Sequence, residues 1–167
     1  MHDPALSTAQ HRELIEALAL SHVLPHDTLP VEECLGRRLA VDVFSLIPLP
    51  PFTNSAMDGF AVRREDLEGE GPWTLPVAGD IPAGDTRENR LEKGQAWRIM
   101  TGAPIPQGAD TVVKVENTDH AAGIAQAPNT VEIRVAPKLG ENVRVAGEAL
   151  EAGSPVLEAG RILDGTA

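Results

Sequence analysis

The segment Ile47-Pro48-Leu49-Pro50-Pro51-Phe52-Thr53-Asn54-Ser55-Ala56-Met57-Asp58-Gly59 is where the chain changes character. Pro48, Pro50 and Pro51 exclude helix, because each lacks an N–H and fixes φ, and they give a stiff approach to the polar run that follows. Downstream, short runs of β character recur between Gly and Pro turns, at 73–78, 96–100, 110–116 and 131–135. Val131-Glu132-Ile133-Arg134-Val135 alternates as a half-buried strand does, and the run at 110–115 carries β-branched residues suited to a pleated surface. From 142 to 163 the style repeats, with turns at Gly147, Gly153 and Gly160. The 15 Gly and 14 Pro follow no fixed period, which excludes a solenoid and a low-complexity linker.

Upstream of the prolines, Ser7 and Gln10 have capping-box spacing, and Leu14, Ile15 and Leu18 then fall on one face of a predicted helix. Gln10, Arg12, Glu13 and Glu16 carry its polar side, and Pro25 bars continuation beyond His22. Residues 31–43 read as a short helical piece followed by a strand, with Gly36 as the break. The expected fold is α+β and β-rich. Residues 46–138 form a β module carrying the cleft loops, and residues 1–45 with 139–167 form a small α+β domain that includes the N-terminal helix.

Composition narrows the function classes. Apolar residues make up 42% and charged residues 23% of the 167 positions, so the chain is globular; with 3% aromatic residues and no Tyr, its core is built from Leu, Val, Ile and Ala. The lone Cys34 has no partner for a disulfide or a thiolate metal site, which fits a reducing compartment. Met1-His2-Asp3-Pro4 lacks a basic leader region and no apolar run approaches the ~20 residues of a membrane span, so a cytoplasmic protein is expected. A formal charge of −11 disfavours nucleic acid and acidic membrane surfaces as partners, and leaves an anionic small molecule only where a cation or local arginines reverse the field.

Familiar catalytic signatures are absent: there is no GxGxxG, Walker A, HExxH or GxSxG. His22 and His26 have i,i+4 spacing, but Pro25 between them speaks against a helical metal pair. Three loops remain. The first holds Asn54, Ser55 and Asp58; taken alone, its Asp58-Gly59 step reads as a hairpin turn with Gly supplying φ > 0, while the clustered polar groups behind stiff prolines favour a site. The second, Thr101-Gly102-Ala103-Pro104, offers a hydroxyl, adjacent N–H groups and an open glycine, a suitable arrangement for an oxyanion, and is equally a Pro/Gly turn. In the third, Asn142 and Arg144 can meet an anion and Glu148 a cation; a solvated strand end explains the same residues.

Taken in order, the three loops resemble the molybdenum-insertion family that includes bacterial MoeA and the gephyrin E domain. Its motifs P-F-x-N-S-A-M-D-G-[YF]-A-V, R-I-M-T-G-A-P-x-P-x-G-A-D-x-V-V and G-x-N-x-R-x-x-G-E-D match residues 51–62, 98–113 and 140–148 here. Two departures stand out: Phe60 replaces the commoner Tyr, and Ala149 replaces the closing acid. The resemblance implies the fold of the MoeA N-terminal region. It also implies an enzyme that transfers molybdate to adenylylated molybdopterin, with Mg²⁺ and release of AMP, acting as a homodimer. A molybdopterin adenylyltransferase and molybdoenzyme chaperones are the further partners it suggests. Carried across, Asp58 and Thr101 are candidate catalytic residues; Asn54, Ser55, Gly102, Ala103, Asn142 and Arg144 face substrate; Asp58 and Glu148 are candidate metal ligands. The family's pterin-binding α/β domain and C-terminal β-barrel have no counterpart within residues 1–167, so this chain alone is expected to be inactive. A non-catalytic scaffold or binding module of the same fold is the alternative.

Overall fold

A computed structural model describes residues 6–22, 25–121, 123 and 126–166; Met1-His2-Asp3-Pro4 lies outside them. Two compact units emerge, one of Met1–Val43 with Leu157–Ala167, the other of Phe44–Val156.

In the first unit, the helix α1 spans Thr8–Ser21 and starts with the expected capping box: Ser7 Oγ accepts from Gln10 N at 3.3 Å, and Gln10 Oε1 accepts from Ser7 N at 2.9 Å. Its apolar stripe is not buried, since Leu14, Ile15 and Leu18 are 56%, 60% and 74% exposed. Capping and local propensity, not packing, therefore define this helix among the described residues. A 3₁₀ turn at Val31–Glu33 precedes a break at Gly36, where φ is +76°. Both ends of the sequence then meet: Gly36 N donates to Leu163 O, Leu39 N to Arg161 O, and Leu163 N to Arg37 O, at 2.8–2.9 Å. The Arg38 guanidinium donates to Gly160 O at 2.5 Å and Ala159 N donates to Asp42 Oδ1 at 2.7 Å.

Where the chain leaves and re-enters this unit, strand β1 (Val43–Phe44) pairs with β9 (Pro155–Leu157). The second unit holds a two-stranded pair, β2 (Asn54–Ser55) with β8 (Val143–Arg144), and a five-stranded sheet in the order β6-β3-β5-β4-β7. The sheet strands are β3 (Gly59–Val62), β4 (Trp73–Ile81), β5 (Ala96–Ile99), β6 (Thr111–Lys114) and β7 (Thr130–Ile133). Within this sheet β4 and β5 run parallel and the other neighbouring pairs antiparallel.

The sheet is covered on both faces, and alternation sorts the side chains between them. Phe60, Val62, Ala96, Val113, Val131 and Ile133 build one core; Ala61, Ile81, Ile99, Ala103 and Val112 build the other. A strand buried on both faces reads as a continuous apolar run, which is why Phe60-Ala61-Val62 shows no period-two pattern. Both sheet edges are closed within the unit. Along β6, Val112 N donates to Glu141 O and Asn142 Nδ2 donates to Val112 O; along β7, Arg134 N donates to Asn117 O and Glu132 N to Asp119 Oδ1.

The boundary expected at 138/139 falls elsewhere. Residues 139–156 belong with the β module, because β8 pairs with β2, Gly147 N donates to Pro50 O, and Ala149 N donates to Leu49 O. Turn signals in 142–163 marked loops and strands correctly in type, but carried no information about which partner they pair with.

Candidate functional site

All three loops singled out in the sequence lie in the second unit, and backbone pairing knits them together. Ser55 N donates to Ala103 O at 3.0 Å, Gly102 N donates to Ser55 O at 2.8 Å, and Ile105 N donates to Thr53 O at 3.2 Å, joining the first loop to the second. The third joins the first through Asn54 opposite Arg144, Ser55 opposite Val143, and Ala56 N donating to Asn142 O at 2.9 Å. The connection between β4 and β5 supports the second loop from behind: Gln107 N donates to Asn89 O and Leu91 N to Gln107 O. That connection is itself pinned at Asp85. The Arg87 guanidinium, then the Arg87 N–H and Asn89, hold its carboxyl far below the usual carboxylate range.

Asp58 and Thr101 form the link between the two best-matched motifs. Thr101 N and Thr101 Oγ1 both donate to Asp58 Oδ1, each at 2.7 Å. The Thr101 hydroxyl, then its N–H, lower the Asp58 pKa from its ordinary value; the Arg98 charge adds to this and partial burial opposes it. The other oxygen, Oδ2, accepts no hydrogen bond from the described residues. The carboxylate is thus oriented through one oxygen and takes no hydrogen bond from the described residues at the other, on a loop whose backbone is held by neighbouring strands.

The hairpin reading of Asp58-Gly59 does not hold. Gly59 is the first residue of β3, opposite Ile99 and Lys114, and its φ is not positive. Glycine is needed there for room, since a Cβ would sit 2.0 Å from the Val113 carbonyl oxygen.

Several expected ligand groups are structural. Thr101 N, Gly102 N and Ala103 N donate to Asp58, Ser55 and Met100 respectively, so the oxyanion cradle expected of this turn has no N–H left to offer. Ser55 is fully buried, its hydroxyl donating to Met57 O at 2.6 Å and accepting from Met57 N. Ala103 is fully buried in the core. Asn54, 6% exposed, donates to Phe52 O while its Oδ1 is buried without a partner among the described residues. Asn142 takes the left-handed conformation at φ +59° and its Nδ2 is engaged by Val112 O. Gly102 and Arg144 are different. Gly102, at φ +80°, has open space where a side chain would be, and Arg144 is exposed with no ion pair or side-chain hydrogen bond among the described residues.

The described residues do not by themselves complete a site for a divalent cation. Mg²⁺ takes oxygen ligands in near-octahedral array, usually one or two carboxylates completed by waters and substrate phosphates. Asp58 offers one free oxygen beside the positive Arg98, and Glu148 Oε2 accepts from Val145 N at 2.9 Å. Among the described residues no group of three His, Cys, Asp or Glu is placed to hold a metal. Ala149, where the family pattern has an acid, is exposed.

Arg98 and Asp80 escaped the sequence reading. Arg98 stands inside the second motif and looked like one residue of a strand run, yet it is 8% exposed and paired with Asp80 at 3.0 Å. The available signal was a lone charge in an otherwise apolar strand.

Residues 6–167 match the family model described as the MoeA N-terminal region, domains I and II. The chain is 45% identical over 139 residues to molybdopterin molybdenumtransferase 2 of Mycobacterium tuberculosis H37Rv, covering 81% of this chain and 33% of that protein. It is 38% identical over 153 residues to the molybdopterin molybdenumtransferase of Staphylococcus epidermidis RP62A, covering 89% and 35%. The crystal structure of a molybdopterin biosynthesis MoeA protein from Pyrococcus horikosii superposes with a TM-score of 0.78 at 31% identity, over 93% of this chain and 39% of that one. The chain spans about a third of the length of the curated relatives it matches. It belongs to the MoeA family, and corresponds to that family's N-terminal region, domains I and II.

Proposed function

We propose that this chain is the part of a molybdenum-insertion enzyme that presents Asp58 to the substrates, in a reaction that transfers molybdate to adenylylated molybdopterin with release of AMP. The observation that carries the reading is the Asp58–Thr101 link, which joins the two longest family motifs and leaves the other carboxylate oxygen without a hydrogen bond from the described residues. Relatives named molybdopterin molybdenumtransferase share the region that contains both loops.

In this reading Asp58 is a fixed acceptor. Its Oδ2 receives an O–H from a water or from a hydroxyl of the substrate and so orients it, while Thr101 keeps the carboxylate ionised and still. Gly102 gives a substrate close access to the loop backbone, and Arg144 supplies an exposed positive charge for an anionic group in a chain that is otherwise acidic. Binding of the pterin phosphates, and further ligands for any divalent cation, is assigned to the portion of the relatives' length that residues 1–167 do not span. A homodimer is part of the same proposal. Its support is apolar surface without cover, such as Leu46 at 94% and Phe44 at 51% exposure.

A chimera tests the reading. Residues 6–167 replace the matching region of the M. tuberculosis relative, and formation of molybdenum cofactor from adenylylated molybdopterin and molybdate is assayed beside residues 1–167 alone. The expected result is activity in the chimera and none in the isolated chain. Turnover by the isolated chain, or a folded chimera that binds both substrates and converts neither, would leave the scaffold reading in place.

A further inference from the structure

Arg98 is a buried cation in a chain of net charge −11, and its position is set by an irregularity in the sheet. In the parallel pair of β4 and β5, Val77 lies opposite Ala96, so regular pairing would place Gly79 opposite Arg98 two residues later. The register shifts between Val77 and Asp80, and Asp80 takes that place instead. One extra residue in β4 thus brings a carboxylate against the guanidinium, the re-aiming for which bulges are known near functional sites. Gly79 makes the bulge fit, because the Trp97 ring lies where its Cβ would be, at 2.6 Å.

Asp80 Oδ2 meets Arg98 Nη1 at 3.0 Å, while Asp80 Oδ1 is buried without a partner among the described residues. A buried carboxylate oxygen left bare is costly, so the placement of Asp80 is not explained by its own hydrogen bonding. On the other side, Arg98 and Asp58 line the same small cavity of about 20 Å³, together with Phe60, Met100 and Val115. Arg98 thus pairs with Asp80 and shares a cavity with Asp58, whose carboxylate takes the two bonds from Thr101.

We propose that Arg98, whose charge is divided between Asp80 and Asp58, is a positioning residue for the site: its buried charge holds the Asp58 carboxylate where Thr101 can donate to it twice. The functional meaning of this inference rests on the reading of Asp58 given above; the Asp58–Thr101 link itself does not. Arg98 acts through Asp58 and touches no substrate. Its attraction for Asp58 is the same effect that helps keep that carboxyl ionised. Without Arg98, the cation that pairs with Asp80 and lines the cavity beside Asp58 would be gone, and the link would loosen.

The test is amide hydrogen exchange on residues 1–167, read at the Thr101 N–H and, as an internal control, at the amides pairing β4 with β7. It needs no turnover, so its failure is separate from failure of the proposed activity. In Arg98→Gln the Thr101 amide should lose about 10-fold or more of its protection beyond whatever the control amides lose. Arg98→Lys, which keeps the charge, should restore Thr101 to within about 3-fold of wild type. Asp80→Asn releases Arg98 toward Asp58 and should leave the Thr101 amide at least as protected, relative to the controls, as in wild type. A purely structural pair gives the opposite pattern: Thr101 tracks the control amides in every variant, or Asp80→Asn loosens Thr101 as much as Arg98→Gln does. Either result overturns the proposal. Should Arg98→Gln not fold, Asp80→Asn decides alone: Thr101 protection raised relative to the control amides supports the proposal, and protection that tracks the controls or falls below them contradicts it.

Discussion

One oxygen atom of Asp58 accepts both bonds from Thr101, and this makes the residue's protonation state part of the fold. The folded-state pKa lies below the unfolded one, so the link stabilises the protein at pH values above the ordinary carboxylate range. That contribution disappears as pH falls through the lowered value, because a neutral carboxyl accepts more weakly. Thr101→Val removes the hydroxyl and keeps the shape. Urea unfolding at pH 7 should show a loss of about 1 kcal/mol, and the gap from wild type should close in acid. A gap that stays constant across that range would mean the hydroxyl contributes through packing alone. At this scale the sequence was informative about identity and poor about role. Asp58, Thr101, Gly102 and Arg144 are placed where they can serve a site, whereas Ser55, Ala103 and the Asn142 amide hold the loops in place. Polar residues that support a loop and polar residues that face a ligand are the same types at the same spacing, so only the hydrogen-bond partners separate them.

The strand β3 links the site to the core. It enters directly from Asp58, and its first residue, Gly59, packs against the backbone of β6. A methyl group there cannot be absorbed by rotating a side chain, since the nearest atom is the Val113 carbonyl oxygen at 2.0 Å. Gly59→Ala should therefore separate β3 from β6, lower stability by about 3 kcal/mol or more, and reduce the folded fraction seen by circular dichroism. Near-wild-type stability would show that the two strands part easily and that Asp58 is not rigidly placed. The same element marks a limit of pattern reading. Four runs expected as strands, at 73–78, 96–100, 110–116 and 131–135, each contain or overlap a strand, whereas β3 was obscured by the Asp-Gly turn signal just before it. The helix α1 was legible from its capping box, but the burial of its apolar stripe was not, because periodicity gives a face and not what covers it.

For the molecule as a whole, the motifs identified the family before any geometry was known, and the return path of the chain was beyond them. Pairing of β8 with β2 is a contact between residues nearly ninety positions apart, and turn residues at 140, 147 and 153 carry no record of it. The absence of a clustered acid set among the described residues has a consequence at this scale. Residues 1–167 should bind Mg²⁺ only weakly, with Kd on the order of 1 mM or above, by isothermal titration calorimetry. Submillimolar binding abolished by Asp58→Asn would place a cation on this chain and reverse the conclusion drawn from Asp58 and Glu148. The central claim is that Asp58 takes part in the chemistry of molybdenum insertion, and it is tested most directly by Asp58→Asn in the chimera described above, with turnover and thermal melting measured together. The account predicts a loss of about 10²-fold or more in cofactor formation with the melting temperature changed by only a few degrees. Unchanged turnover in the folded variant would contradict it.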